Sequence, residues 1–407
     1  MKRFVVVGGG AAGFFGAINA AENCENLEVI ILEGSQHVLQ KVKVSGGGRC
    51  NVTHACFDPK ELTTFYPRGA KELLGPFHQF MTGDTFSWFE DRGIPLKIEE
   101  DQRVFPASNS SQTIVDCFLT SAKNAGVELR TSTRVVSLDR QDDKYLIGTN
   151  KETIVADFVL VATGSNSKIW DLLNHVGHTI ISPVPSLFTF NVVDRKIAEI
   201  PGVSVPNATI EVKNTSLESN GPILITHWGL SGPGIIKLSS WGALDLAKED
   251  YQFQIDVNWI SKNSDWVVKK LKTTKSELPK KMIGLRSVFL DIPKRLWANL
   301  VEDAGISTTA QWAQVSNEQI RTLAKSITHS EFKVMGKSTF KEEFVTAGGI
   351  DLKEVNFKHF ESKIHKNLFF AGEILNIDAL TGGFNFQNAW TGAWIVAQSI
   401  AKEQLKN

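Results

Sequence analysis

The stretch Arg3-Phe4-Val5-Val6-Val7-Gly8-Gly9-Gly10-Ala11-Ala12-Gly13 decides the fold. Arg3 to Val7 is short, β-branched and apolar on both faces, the pattern of a strand buried inside a parallel sheet. A glycine turn follows, and then an Ala-rich helix over about 11–24. Leu27 to Leu32 is a second apolar run and ends at Glu33. Strand, helix and strand form a β-α-β unit. Its turn carries Gly8-x-Gly10-x-x-Gly13, the dinucleotide fingerprint in the context it requires. Gly8 permits the tight turn, Gly10 lets the backbone approach a pyrophosphate, and Gly13 lets the helix sit close on the sheet. The N–H groups of Ala11 and Ala12 at the helix start face the phosphates. Glu33 is placed to accept hydrogen bonds from an adenosine ribose, and its charge disfavours a 2′-phosphate. The unit therefore suits FAD or NAD better than NADP.

Two later segments choose between those cofactors. Val159-Leu160-Val161-Ala162-Thr163-Gly164 is an apolar strand ending in Ala-Thr-Gly. Leu368-Phe369-Phe370-Ala371-Gly372-Glu373 is another strand, ending in Gly-acid. Both are features of flavoproteins of the two-dinucleotide-fold type, where the acid hydrogen-bonds the ribityl or pyrophosphate region. Glu373 is a longer substitute for the usual Asp. With the fingerprint, and in this order, they favour FAD.

Composition narrows the class further. The chain has 407 residues, 42% of them hydrophobic, enough for two or three packed units. Lys and Arg number 44 and Asp and Glu number 44, so no global positive field exists to displace counterions from a nucleic acid. No nucleic-acid partner is expected. The four cysteines, Cys24, Cys50, Cys56 and Cys117, form no Cys-x-x-Cys pair, which argues against a zinc ribbon, a redox pair or an iron–sulfur cluster and for a reducing cytoplasm. No metal site is expected. Met1-Lys2-Arg3 before an apolar run resembles a signal peptide, but the glycines from Gly8 to Gly16 follow a nucleotide fold instead. No run approaches the ~20 apolar residues that span a bilayer. A soluble cytoplasmic protein with no membrane partner is expected.

Along the chain, Asp84 to Arg92 and Gln112 to Ala125 read as helices. The second leads through Gly126 into a strand from Val127 to Leu138. Further strands are expected at Lys144 to Gly148, Glu152 to Val155 and Phe158 to Thr163. From Phe188 to Val257 the texture becomes alternating strands with turn clusters. From Ser261 to Ser330 it is helical, and Lys262 to Lys281 holds seven lysines against Asp265 and Glu277. A solvated helix face is favoured there over a membrane or RNA role. From about Phe344 the first texture returns, with a glycine turn at Gly348-Gly349 and a closing helix. The expected layout is a discontinuous nucleotide domain at 1–187 and 341–407, a β-rich insertion at 188–260 and 331–340, and a helical insertion at 261–330.

Four segments carry a family resemblance. They are Lys41-Val42-Lys43-Val44-Ser45-Gly46-Gly47-Gly48-Arg49-Cys50-Asn51-Val52-Thr53, Thr226-His227-Trp228-Gly229-Leu230-Ser231-Gly232-Pro233, Val345-Thr346-Ala347-Gly348-Gly349-Ile350, and Ala371-Gly372-Glu373 through Thr381-Gly382-Gly383-Phe384-Asn385-Phe386-Gln387. With them the sequence resembles the bacterial flavoproteins that include aminoacetone oxidase and a bile-acid ene reductase. His54 and Ser165 depart from the common Asn and Gly. The resemblance implies an α/β fold: a Rossmann-like FAD domain of the two-dinucleotide-fold type, interrupted by a β-barrel-like and a helical insertion. It also implies non-covalent FAD, with the Ser45 to Asn51 loop over the flavin.

Three consecutive glycines, Gly46 to Gly48, allow close backbone approach, and Arg49 either offers a donor fork near anionic groups or forms a structural ion pair inside the loop. Cys50 reads as a buried small apolar residue rather than a redox partner. A helix beginning near Asn385, after Gly382-Gly383 and Phe384, aims its N-terminus at the flavin N1–C2=O edge. Val135 is expected to contact adenine through its backbone. His227 and Trp228, expected at a strand-to-helix junction with Pro233 in the helix's first turn, either line the substrate face or build that junction.

The function expected is FAD-dependent hydride transfer between flavin N5 and a small organic substrate. Electrons come from transient NAD(P)H docking, or from an amine with oxygen as acceptor. A flavin-carrying RNA-modifying protein is the alternative of another class. The one other glycine-dense run, Gly229 to Gly234, carries Pro233 where a pyrophosphate turn needs an N–H, so no second NAD(P)H domain is expected.

Overall fold

The strand Lys2–Val7 has no polar side chain in its last four residues, and it lies inside a seven-stranded sheet with both faces covered. A computed structural model describes residues 1–338 and 345–405. The chain divides into two compact units, Met1–Val184 with Val345–Asn407, and Pro185–Phe344. The nearby boundary expected at 340/341, and the return of texture at Phe344, fall outside the described residues.

In the first unit the strand order is Val355–Asn356, Glu361–Ser362, Leu368–Phe370, Phe158–Val161, Lys2–Val7, Leu27–Leu32, Glu128–Arg130. The last five run parallel, so their carboxyl ends emerge along one edge. Helix Ala11–Asn23 packs between this sheet and the closing helix Phe384–Gln404. Gly16 permits that: a Cβ there would stand 2.8 Å from Leu160 and 3.5 Å from Ala393. Beneath the pair, Phe15, Trp88, Phe118 and Trp390 form one aromatic cluster, with Phe15 and Trp390 centroids 5.2 Å apart. Each ring so buried contributes roughly 2–3 kcal/mol.

The expected strand from Val127 to Leu138 is two strands in two sheets. Glu128–Arg130 joins the parallel sheet, and Val135–Gln141 starts an antiparallel sheet with Lys144–Thr149 and Thr153–Ala156. Between them Ser132 takes a left-handed conformation, φ 51°, and the Ser132 and Thr133 N–H groups donate to the Ser35 and Glu33 carbonyls. Those two tertiary bonds break a run that its own residues would continue. Gly348 and Gly349 likewise form no turn. They lie within the strand Val345–Ile350, where a Cβ would meet the Ser182–Pro183 backbone on one side and the Ile374–Leu375 backbone on the other.

The second unit is a closed six-stranded barrel of Thr189–Val192, Gly229–Ser231, Glu218–Thr226, Ser204–Val212, Gln252–Asn258 and Ser330–Ser338. Helices Pro233–Trp241 and Ala243–Lys248 interrupt the expected run of strands. Helices Ser264–Glu277, Lys294–Asp303 and Asn317–Thr328 bury Val267, Leu271, Trp297 and Ile327 in the same core as the barrel residues Ile255 and Val257. Helical and β-rich segments are therefore one unit here.

Candidate functional site

Four strand ends meet at the carboxyl edge of the parallel sheet, where ligands bind in open α/β folds. Gly8 follows the first strand with φ 113°, and a Cβ on it would stand 2.6 Å from the Ala162 carbonyl and 2.9 Å from Thr163 Cα. Gly13 is tighter still, since a Cβ there would lie 1.9 Å from the Gly8 carbonyl oxygen. Gly10 is different: among the described residues a Cβ would meet only the Ala162 oxygen, at 3.9 Å, so the space beside it is open. Gly10 is the N-cap of the helix, and no side chain caps it, so the Ala11 and Ala12 N–H groups head a free helix terminus.

Glu33 ends the second strand. Its carboxylate accepts from the Gly9 N–H at 2.9 Å and the Ser35 N–H at 2.8 Å. Two backbone donors hold it rigidly and leave lone pairs for further donors. The Ser132–Thr133 bonds described above bring the segment before Val135 beside Glu33. Ala162, Thr163 and Gly164 continue from Phe158–Val161, and Thr163 Oγ1 is buried without a partner among the described residues. Gly164 has φ 60°, and a Cβ there would stand 3.5 Å from Glu373 Oε2 and 3.9 Å from Lys41 Nζ. Gly372 sits against Ala12 in the same way, at 3.4 Å. Glu373 pairs through one oxygen with Lys41 and accepts the Thr346 N–H at 3.0 Å with the other.

The Ser45 to Asn51 loop is built by left-handed glycines. Gly46, Gly47 and Gly48 have φ of 57°, 67° and 81°, and no described residue lies within 4 Å of a Cβ on Gly47 or Gly48. Ser45 Oγ donates to the Val42 carbonyl at 2.9 Å. Arg49 donates through one Nη to Glu99 at 2.7 Å and lies 3.9 Å above the Phe105 ring, so it is held beside the small antiparallel sheet of Thr53–His54, Arg103–Pro106 and Leu96–Ile98. Cys50 is fully buried, and burial pushes its thiol up to about 12, against a weaker opposing hydrogen bond from Ser45. A thiol in that environment is inert.

Asn51 joins this loop to the closing helix. With its amide turned to satisfy all three neighbours, its oxygen accepts the Gly383 N–H at 3.0 Å, and its nitrogen donates to the Thr53 and Val104 carbonyls at 2.9 and 3.1 Å. Gly383 caps the helix at φ 91°, where a Cβ would stand 2.5 Å from the Thr53 carbonyl, so only glycine fits. Gly382 abuts the rings of His54 and Phe384. Phe384 is itself in a stack, 4.5 Å from His54 and 4.2 Å from Phe65, and the Asn385 amide is tied to the Ala379 backbone. Burial pushes the His54 imidazole down, outweighing the nearby Asp101 and Glu61 carboxylates, and its Nδ1 has no partner among the described residues.

Sequence reading missed the residues that pin this turn from below. Gln387 accepts from Thr53 Oγ1 at 2.6 Å and Thr85 Oγ1 at 2.9 Å, and the Tyr66 hydroxyl donates to the Phe384 carbonyl at 2.6 Å. Arg68 makes a bidentate pair with the fully buried Asp378. Asp378 lies inside the 371–387 segment quoted above, but Arg68 stands far from it in sequence and in no motif, so nothing local signals the pair.

His227 and Trp228 are not at a strand-to-helix junction. They form the turn of the hairpin between Glu218–Thr226 and Gly229–Ser231, in the barrel unit, where Trp228 Nε1 donates to Thr189 Oγ1 at 3.2 Å. Gly229 requires glycine because a Cβ would stand 2.2 Å from the Phe190 carbonyl. Pro233 does open a helix, at its first turn. Among the described residues no group of three or more His, Cys, Asp and Glu side chains could hold a metal, and no helix is long and apolar enough to cross a membrane.

This chain is 26% identical over 414 residues to a protein of Haemophilus influenzae named ribosomal RNA dihydrouridine synthase, covering 98% of each chain. It is also 26% identical over 414 residues to the 3-dehydro-bile acid delta(4,6)-reductase of Clostridium scindens, covering 99% of this chain and 100% of that one. Among solved structures, the open conformation of a flavocytochrome c3 fumarate reductase shares the fold at 16% identity with a TM-score of 0.51, over 99% of this chain and 78% of that one. The family model described as HI0933-like protein Rossmann domain matches residues 2–399. The parallel sheet, its glycine-lined edge and that match over nearly the whole length agree, and the chain belongs to the HI0933-like Rossmann family.

Proposed function

We propose that this chain is an FAD-dependent reductase acting on a carbon–carbon double bond conjugated with a carbonyl group. The observation that carries the reading is the convergence of Gly10, Thr163, Gly372 and Glu33 on one sheet edge. That edge has open space at Gly10 and an orphaned buried hydroxyl at Thr163. Such a cradle fits a long dinucleotide. The reaction class comes from the relatives' names. A dihydrouridine synthase and a delta(4,6)-reductase both saturate a double bond next to a carbonyl.

In this reading Gly8, Gly10, Ala11, Ala12 and Gly13 hold the pyrophosphate, Glu33 accepts the adenosine ribose hydroxyls, and the Val135 backbone meets adenine. Thr163 and Gly164 complete the wall beside the diphosphate. Lys41, already drawn to Glu373, neutralises part of its charge. Bound FAD supplies a hydride at N5, while the protein orients it and sets its electrostatics. The helix N-terminus at Gly383, Phe384 and Asn385 would stabilise negative charge on the reduced flavin. Gly382, Gly47 and Gly48 keep side chains out of that space, and Asn51 holds the turn in register.

Anaerobic stopped-flow mixing tests the whole reading. Denaturation should first release FAD. Saturable reduction by NADH or NADPH, followed by reoxidation with an enone, is the expected course. Release of NAD alone overturns the cofactor. Reduction only by an amine, with peroxide formed in air, replaces the reductase with an oxidase.

A second reading makes the substrate a uracil base within RNA. Residues 261–330 favour it, carrying twelve Lys or Arg against six Asp or Glu in a chain that is neutral overall.

A further inference from the structure

The helix Ser264–Glu277 buries Val267, Leu271 and Thr274 on one side. The rest of its circumference is solvent-exposed, with Trp266, Lys269 and Lys270 together on one side, Asp265 and Lys272 further round, and Lys262 just before the N-cap Asn263. At helical spacing Lys269 and Lys270 stand one turn beyond Trp266, flanking it. Among the described residues none of these four lysines has a carboxylate partner within ion-pair distance. Of the helix's own acids, Glu277 is its last residue, while Asp265 lies one turn before Lys269 on the same side. The Trp266 indole is 46% exposed, although its edge meets Phe289.

We propose that this face is a docking surface for single-stranded RNA, with Lys262, Lys269, Lys270 and Lys272 on phosphates and Trp266 stacking on a base. The inference rests on the second reading above, in which RNA is the substrate. Unpaired lysines spaced along one helix release counterions when they meet phosphates, and an exposed indole supplies the sequence-tolerant stacking that single strands use. A polar cavity of about 360 Å³ opens at the start of the helix, lined by Thr209, Asn258, Ser261, Asn263 and the carboxylates of Glu211 and Asp256. Lys262 and His329 also line it, and His329 already pairs with Asp256 at 2.9 Å, so the Glu211 carboxylate is the one left to accept from the N–H edge of a base.

A membrane surface is the competing partner for lysines near apolar side chains, and Leu278, Met282, Leu285 and Leu290 are exposed just beyond the helix. An interfacial helix, however, needs an apolar face of its own to insert. The apolar face of Ser264–Glu277 is already used in the protein core.

The test is fluorescence anisotropy of the full flavin-loaded chain with a labelled mixed-sequence RNA of about 20 nucleotides, at potassium chloride from about 50 to 200 mM. Lys269→Glu/Lys270→Glu/Lys272→Glu is expected to weaken binding by at least roughly tenfold. It should also lower the slope of log affinity against log salt by about 2, at about 0.7 per lost phosphate contact. Trp266→Ala is expected to weaken binding roughly tenfold with the slope unchanged. The Lys→Gln triple variant, which adds no negative charge, should follow the same direction, with melting temperature and flavin content as controls. If wild-type protein binds RNA and both triple variants bind it with the same slope, the RNA reading stands and this docking face is wrong. If wild-type protein does not bind RNA at about 50 mM salt, the RNA reading fails and the face fails with it. Binding to phosphatidylserine vesicles without binding to RNA assigns the lysines to a membrane and overturns the proposal.

Discussion

The Asn51 side chain accepts the Gly383 N–H at 3.0 Å, which joins the glycine loop after the second strand to the start of the closing helix. Asn51 is buried and Gly383 half-buried, and the same amide also bridges Thr53 and Val104. One side chain thus sets the distance between two glycine-rich backbones.

Replacing it should be costly. Asn51→Ala leaves the Gly383 N–H and the Thr53 and Val104 carbonyls without that partner, and a loss of about 2–3 kcal/mol is expected from unmet buried groups. Chemical denaturation measures the loss. Flavin retention after gel filtration should fall with it, because the helix terminus is no longer held in place. Unchanged stability in this variant would mean that Asn51 bridges nothing.

Gly10 and Gly13 should fail in different ways. Gly10→Val puts its Cβ in open space and loses the N-cap preference of glycine, so without flavin it should stay folded within about 1–2 kcal/mol of wild type while flavin uptake is lost. Gly13→Ala places a methyl group 1.9 Å from a backbone carbonyl, so the chain itself should lose more than about 3 kcal/mol. Melting curves with and without added FAD separate the two. Normal flavin content in Gly10→Val would remove the pyrophosphate from this turn.

The cysteines should be silent. All four are buried, and the Cys50 thiol is pushed up to about 12. A thiol reagent at pH 8 should label none in the folded chain and four after denaturation. Cys50→Ala should leave the anaerobic rate of flavin reduction unchanged, and a large drop would restore Cys50 as a redox partner.

Acid should weaken the first unit through His178. Its imidazole is buried between Glu354, 3.0 Å from Nδ1, and Ser362, 3.0 Å from Nε2. Burial lowers its pKa, and the Glu354 hydrogen bond does not fully restore it. Burial raises Glu354, but bonds from Thr179 and His178 outweigh that and hold the carboxyl below its usual range. With both folded values depressed, the unfolded chain binds more protons, so stability rises with pH. The histidine contribution is whole above the unfolded value near 6.5 and falls as the pH drops below it. Melting temperature should decline from pH 7 to 5, and His178→Gln should flatten that decline. An equally steep decline in the variant would place the titrating group elsewhere.

The β-α-β opening was legible because each of its requirements is met within a few residues. A strand covered on both faces shows as a continuous apolar run, and Gly8-x-Gly10-x-x-Gly13 marks where side chains are forbidden. The apolar strands ending at Gly164 and Glu373 were readable for the same reason, as was the closing helix. The segment from residue 40 to 80 was not, because its short helices Gln40–Gly48, Pro59–Thr63 and Ala70–Phe77 are held by distant partners rather than by their own pattern.

By itself, then, the sequence determined the nucleotide-type sheet edge and the glycines that line it, since sterics and periodicity act over a turn or a strand. Tertiary structure decided where the charged and polar groups of that edge point. Lys41 turns to Glu373, Arg49 to Glu99, Arg68 to Asp378, and Asn51 to Gly383. It also split the strand after Val127 and placed His227 and Trp228 on a barrel hairpin. Each outcome is a choice of hydrogen-bonding partner, often across most of the chain. Burial makes that choice obligatory, and only the folded chain supplies the partner.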